Sequence, residues 1–418
     1  MTSTIPPQPR RPALAGLRVI DLARVLAGPT CAQTLADLGA DVIKIERPGI
    51  GDDTRPWGPP WLPDEKGEPT RDSTYFGSAN RNKRSIAINL ANDAGAALVR
   101  RLAGGADVLI ENYKVGDLAR RGLDYATLSK LNPRLVYCSI TGFGQTGPLR
   151  ERSGYDYIFQ GVGGLMSVTG IPDGEPGGGP MKIGASIVDL STGLYAGVAI
   201  LAALRERDAS GLGQHIDMAL FDTVAALAMH QAAGYFQTGK VPTRQGNSSG
   251  GIMMPYETFK CADGHLIVAC GNNSQWQGLC KALARDDLAV DPRFASPSTR
   301  QINRDAALSE LRRTFGESTV ADLAARLDAG GVPNGPINDI KQVFEMEQAR
   351  ERGLRIDLDR SDGTKVPGVR NPIRMSATPV EYRGAAPQLG EHADVVLKDW
   401  LGANAVEIDA LRAAGALE

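Results

Sequence analysis

The sequence predicts an α/β fold. Its first half is a doubly wound, mostly parallel sheet, and a smaller unit of mixed helix and strand follows. Two observations carry that prediction. Short β-rich runs alternate with helical stretches up to residue 207, the mark of βαβ units. Beyond residue 251 the texture changes to one clear strand among several helices. The first strand is 17–22 (LRVIDL); a helix over 30–38 starts behind Gly28-Pro29 and stops at Gly39. Strands follow at 42–46 (VIKIE) and 85–90 (SIAINL), with a helix at 93–102. Residues 108–110 and 135–140 (LVYCSI) are further strands, and the glycine-rich stretch 161–184 reads as a loop over the sheet. Residues 192–207 (TGLYAGVAILAALRER) form a strong helix whose apolar face is Leu194, Val198 and Leu201, at i, i+4 and i+7. A second helical stretch, 221–236, leads to a polar glycine loop at 246–251. The smaller unit holds a strand at 265–270, a helix near 275–283, two helical stretches between 304 and 327, and an exit turn at 330–336 (GGVPNGP). Residues 366–383 are Pro-rich and extended, and a helical tail follows Leu389-Gly390.

Composition removes several classes of function. Among 418 residues, 46 Lys+Arg stand against 48 Asp+Glu, so no polyanion-binding surface is implied and nucleic acid is not an expected partner. A 42% hydrophobic and 22% charged chain is globular. Cys31, Cys138, Cys261, Cys270 and Cys280 are scattered without a C-x-x-C pair. That spacing describes neither a disulfide framework nor a zinc site, and it fits a reducing compartment. The longest strongly apolar run, 196–204, is far short of a membrane span. Residues 1–13 lack an apolar leader core and read as a disordered tail. The expectation is a cytoplasmic chain with no membrane partner.

The commonest α/β chemistries are missing. The first turn, Ala23-Arg24-Val25-Leu26-Ala27-Gly28-Pro29, is not G-x-G-x-x-G, and Pro29 lacks an amide donor for a pyrophosphate. There is no G-x-x-x-x-G-K-[ST] and no G-x-S-x-G nucleophile elbow. Attention falls instead on Asp189, just before the strong helix. Two readings stand together there. Asp189 caps the helix, or it is a carboxylate nucleophile kept ionised by the helix dipole and backbone donors. Trp57 and Trp61 flank prolines, and either line an acyl pocket or pack a loop.

A series of blocks carries a family resemblance. They are LRVIDL with Ala27-Gly28-Pro29, GADVIKIE with GDDTR, NRNKRS, Glu111-Asn112-Tyr113, GFGQTGP, PYETF with Asp263-Gly264, GVPNGP, and Leu389-Gly390-Glu391-His392. In that order they resemble the class III CoA-transferases, the family that includes formyl-CoA transferase, carnitine CoA-transferase and α-methylacyl-CoA racemase. GDDTRPWGPP, NRNKRSI, YCSITGFGQTGP and GPIN read like its succinate–hydroxymethylglutarate (glutarate) branch.

The resemblance implies a CoA-transferase with no tightly bound cofactor and coenzyme A thioesters as substrates. CoA would pass from a donor such as succinyl-CoA to a small, dicarboxylic acid through a covalent intermediate on Asp189. It also implies a large Rossmann-like domain (14–208), a linker (209–251), a small α+β domain (252–341), a return linker (342–383) and a C-terminal segment (384–418) packing back on the large domain. Two such chains would interlock as a homodimer. By position, the CoA contacts are Leu26, Ala27, Arg47, Asn89, Leu90, Asn112, Tyr113, Lys114, Arg120, Ser153, Gly154, Tyr155 and Asp156. Gly250 and Gly251 match a mobile loop over the acyl intermediate. Arg24 and Arg55, in loops after the first two strands, are the expected partners of a distal substrate carboxylate, because an unpaired buried charge is costly. Two departures stand out: the formyl-CoA enzyme has glutamine at Leu26 and lysine at Ala91. The alternatives are a racemase on the same fold and a non-catalytic CoA-binding protein. Against the racemase, its Gly-His-Asp tripeptide is Gly154-Tyr155-Asp156 here, and a phenol with a pKa of about 10 is a poor base at neutral pH.

Overall fold

The computed structural model describes residues 11–248 and 253–418. Most of the tail expected at 1–13, and both Gly250 and Gly251, lie outside the described residues. The chain divides into two compact units. The larger takes the chain up to Leu165, Ile183–Ala233 and Glu351–Glu418; the smaller takes Met166–Lys182 and Gly234–Arg350.

The larger unit is built on six strands, β1 (Arg18–Asp21), β2 (Asp41–Glu46), β3 (Arg84–Ala87), β4 (Val108–Glu111), β5 (Val136–Thr141) and β6 (His215–Ala219). All are parallel, in the order β6-β5-β4-β1-β2-β3. Both faces are apolar, so the strands read as continuous hydrophobic runs. Val19, Val42, Val108, Val136 and Cys138 point into one core, and Ile20, Ile43, Leu109 and Tyr137 into the other. Helices α1 (Ala27–Asp37) and α4 (Ile187–Ser210) cover the first face. Helix α2 (Asp93–Ala103) and the C-terminal helix Ala393–Leu401 cover the second, where Val396, Leu397 and Trp400 are buried. The strand order reverses between β1 and β4, and a doubly wound sheet opens a ligand crevice at the carboxyl ends beside such a switch point.

Three features differ from expectation. β6 lies in the stretch read as a linker. Helix α4 begins five residues earlier, at Ile187, and reaches Ser210. By length and composition it is apolar enough to cross a membrane, and half of its most apolar window is buried inside the protein. Its buried face is Ala196, Gly197, Ile200, Ala203 and Leu204, whereas Leu194, Val198 and Leu201 are exposed. The smaller unit holds an antiparallel sheet, Tyr256–Lys260, His265–Ala269 and Asn334–Pro336, packed by helices around Phe259, Trp276 and Phe315.

Candidate active site

The crevice is built from the segments that leave β1 and β4. After β1 the chain makes a tight turn in which Val25 adopts φ 72°, an outlier for a β-branched residue. Asn112, just past β4, clamps that turn: its Oδ1 accepts from Arg24 N at 2.9 Å and its Nδ2 donates to Arg24 O at 2.8 Å. Leu26 then stands at the N-cap of α1 with no side-chain cap.

Asp189 enters from α4. The helix N-cap is Ser186, which makes no side-chain cap bond, so Asp189 lies one turn inside and does not cap it. The cap comes from elsewhere. On α3 (Asp156–Val162), Asp156 Oδ2 accepts from Val188 N at 2.7 Å and from Asp189 N at 3.1 Å. Its Oδ1 accepts from Gln160 Nε2 at 2.5 Å, and Gln160 Oε1 accepts from Ile183 N at 2.8 Å. Asp156 is thus a buried brace under the helix start. The Asp189 side chain is only 9% exposed and accepts no hydrogen bond among the described residues. Burial, and then the neighbouring Asp156 charge, push its pKa from 3.8 up to about 7. This corrects the expectation that the helix start keeps it ionised: those backbone donors are spent on Asp156.

A cavity of about 450 Å³ opens over Asp189. Its wall includes Arg24, Leu26, Ala27, Asn112, Tyr113, Lys114, Arg150, Arg152, Ser153, Gly154 and Tyr155. Tyr155 is mostly exposed and meets Trp57 edge-on at 6.5 Å; Trp57 in turn meets Tyr75 at 5.4 Å. Burial and then the charge of Asp189 raise the Tyr75 hydroxyl pKa. A second cavity, about 220 Å³, shares Arg24 and Tyr113 with the first and continues to Arg47, Asn89, Leu90, Ala91 and Arg121. The adjoining cavities carry Asp189 on the wall of the first and several cations, among them Arg24, Lys114, Arg47 and Arg121, on their walls, which suits an anionic ligand.

Most of the expected residues therefore converge, and three do not. Asp156 braces the helix start and does not line either cavity. Arg120 points away, ion-paired with Asp117, while its neighbour Arg121 lines the second cavity and donates to Leu90 O at 3.0 Å. Arg55 is buried with its donors committed: Nε and NH2 to Glu46 at 2.7 Å, NH1 to Asp72 at 2.6 Å, NH2 also to Pro387 O. Four of its five N–H hydrogens are held inside the protein, and it lines neither cavity. The residues missed by sequence reasoning are Arg121, Arg150 and Arg152. The last two sit in LRERSGYD, whose density of arginines beside Ser153-Gly154-Tyr155 was the available signal.

A family profile described as CoA-transferase family III matches residues 14–393. The chain belongs to that family. It is an enzyme that transfers CoA. The succinate–glutarate CoA-transferase of Agrobacterium fabrum is 49% identical to this family III chain over 394 residues, 93% of it and 96% of the relative. The succinyl-CoA:glutarate CoA-transferase of Mus musculus is 40% identical over 405 residues, 97% of this chain and 90% of that one. A crystal structure of a CAIB/BAIF family protein from Brucella suis matches with a TM-score of 0.84 and 46% identity, covering 94% of this chain and 100% of that one.

Proposed function

We propose that this enzyme moves CoA from succinyl-CoA, or a similar dicarboxylyl-CoA, to a small dicarboxylic acid, through intermediates on Asp189. The observation that carries the reading is a nearly buried carboxylate, without a donor among the described residues, on the wall of the first cavity. Such a group is a stronger nucleophile than a solvated one. Its oxygen attacks the thioester carbonyl; the C–S bond breaks and the CoA thiolate leaves. The thiolate attacks the Asp189 carbonyl carbon of the resulting anhydride and expels the donor acid, leaving an aspartyl-CoA thioester. The acceptor carboxylate attacks that thioester, and the released thiolate then takes the new acyl group and frees Asp189. Tyr155 is suited to donate a hydrogen bond to a developing oxyanion.

The relatives named above act, by their names, on succinate or succinyl-CoA and glutarate. In this reading the nucleotide end lies at Arg47, Asn89, Leu90 and Arg121, and the thioester lies among Leu26, Ala27, Ser153, Gly154 and Tyr155. The distal carboxylate pairs with Arg24 or with Arg152, which makes no ion pair among the described residues and rests on the Phe143 ring at 5.7 Å. The assembly is a homodimer. It is supported by the apolar stripe that α4 leaves exposed, while the interlocked form rests on the family resemblance alone.

The test is chemical. Enzyme mixed with succinyl-CoA is quenched with borohydride or hydroxylamine and mapped by mass spectrometry; the modification falls on Asp189. Asp189→Ala abolishes transfer in an acceptor screen, and near-normal turnover by that variant would sink the assignment. In the same screen succinate and glutarate outcompete neutral monocarboxylates.

A further inference from the structure

Beneath the turn that follows β1 lies a row of alternating charges: Lys83, Asp21, Lys44, Asp52. Lys83 Nζ is 2.8 Å from Asp21 Oδ2, and Lys44 Nζ is 3.8 Å from the same oxygen and 2.8 Å from Asp52 Oδ2. All four are buried, with Lys44 and Asp52 each 1% exposed. Lys44 and Asp52 help to floor the second cavity; none of the four lines the cavity over Asp189. Burial works against both charges of the last pair, but Asp52 and Asp21 outweigh it and raise Lys44, while Lys44 holds Asp52 down at about 2. The pair is therefore ionised.

Each of the four also reaches one backbone segment. Asp21 Oδ1 accepts from Ala23 N at 3.0 Å, and Lys44 Nζ donates to Ala23 O at 2.9 Å. Asp52 Oδ1 accepts from Val25 N at 3.3 Å, and Lys83 Nζ donates to Pro29 O at 2.9 Å. Buried ion pairs are a poor way to gain stability, since apolar groups of the same volume often do as well. Four such groups gathered on one turn need another account. That turn holds Val25 in the left-handed region, a strain that persists only where the surroundings over-determine it. The turn also touches the helix of the nucleophile. A Cβ added at Gly193, one turn beyond Asp189, would lie 2.5 Å from Ala27 O, and one added at Gly28 would lie 2.2 Å from Ala23 Cβ.

We infer that Lys44, held between Asp21 and Asp52, is a positioning residue for acyl transfer: it fixes the strained turn that sets Leu26 and Ala27 against Asp189. The inference rests on Asp189 being the nucleophile. The paired variant Lys44→Met/Asp52→Asn removes both charges together, so that neither is left buried alone. We expect kcat to fall about 100-fold, the scale of a displacement of about 1 Å at a reacting centre, while KM for succinyl-CoA changes less than about threefold. Asp52→Asn alone keeps the Oδ1 acceptor and gives the same split at about tenfold, which covers the case in which the paired variant does not fold. Leu397→Ala, in the core on the other face of the sheet, lowers stability without changing kcat and separates positioning from mere destabilisation. Val25→Gly in the Asp52→Asn background restores most of the lost kcat, because glycine holds positive φ unaided.

Borohydride trapping decides between failures. No adduct on Asp189 in the unaltered enzyme refutes the nucleophile. A normal adduct in the unaltered enzyme, formed at the same rate in the variants, refutes the positioning role. Loss of kcat no greater than in Leu397→Ala, or no rescue by Val25→Gly, also overturns it.

Discussion

At Asp189 the burial that supports the proposed nucleophile also sets its working range. The carboxylate must be ionised to attack, and its pKa of about 7 predicts that kcat/KM rises with pH through about 7. Glu111 at the end of β4 is also pushed up to about 7 by burial, so a bare pH profile does not name the group. Asp156→Asn does: it keeps the acceptor for Val188 N and Asp189 N but removes the like charge. The acid limb of the profile should move to lower pH in that variant and stay in place in Glu111→Gln. Stability follows the opposite sign. A carboxyl raised from 3.8 to about 7 costs the fold nothing below pH 4. Its penalty grows as pH rises from 4 to 7, where the unfolded chain has released a proton that the native state still holds, and is constant above 7, where both have released it. Asp189→Asn should therefore unfold at higher denaturant than the parent at pH 8, by on the order of 2–4 kcal/mol. That gain should vanish near pH 4. Equal stabilities at pH 8 would mean that Asp189 is not held in the desolvated state described above.

Among the elements, α1 and α4 decide the geometry of the site, and they do so through small residues. Gly193 lets the two helices meet backbone to backbone, so Gly193→Ala forces Ala27 O to retreat from a contact of 2.5 Å. Overpacking of this kind typically costs about 1–3 kcal/mol, and here it should also lower kcat, measured as a drop in both the urea midpoint and turnover. The same helix shows where sequence reading stops. α4 is apolar on all sides, so the i, i+4, i+7 rule finds Leu194, Val198 and Leu201 as readily as Ala196, Ile200 and Ala203. Periodicity cannot say which stripe meets the sheet; the small residues that allow close approach can. β1 to β5 were legible because both of their faces are buried. β6 was missed because it is a five-residue edge strand in which His215 and Asp217 alternate with Ile216 and Met218, a half-buried pattern unlike the continuous apolar runs of the inner strands. Asp156 was expected in the right neighbourhood but in the wrong role. Its partners lie 32 and 33 residues along the chain, a contact no local pattern contains. Arg55 failed for the complementary reason, because its carboxylate partners Glu46 and Asp72 come from two separate segments.

For the whole molecule the open quantity is assembly. Leu194, Tyr195, Val198 and Leu201 form a contiguous stripe along α4, with Val198 65% exposed in the single chain. An exposed stripe of large apolar side chains on a long helix marks a surface that is covered in the working protein, and the proposed cover is a second copy of this chain. If two such chains merely abut, dilution should release a particle of 44.4 kDa. If they interlock, they cannot part without opening a chain, so light scattering should report twice 44.4 kDa from micromolar to nanomolar concentration. Val198→Asp separates the two further. A carboxylate forced into a buried apolar contact costs several kcal/mol unless it finds a partner or a proton. In an abutting dimer that cost appears as dissociation. In an interlocked one the mass holds and the cost appears instead as a lower unfolding temperature. A mass of 44.4 kDa for the unaltered protein at micromolar concentration would remove the dimer from the proposal and leave the stripe for another partner.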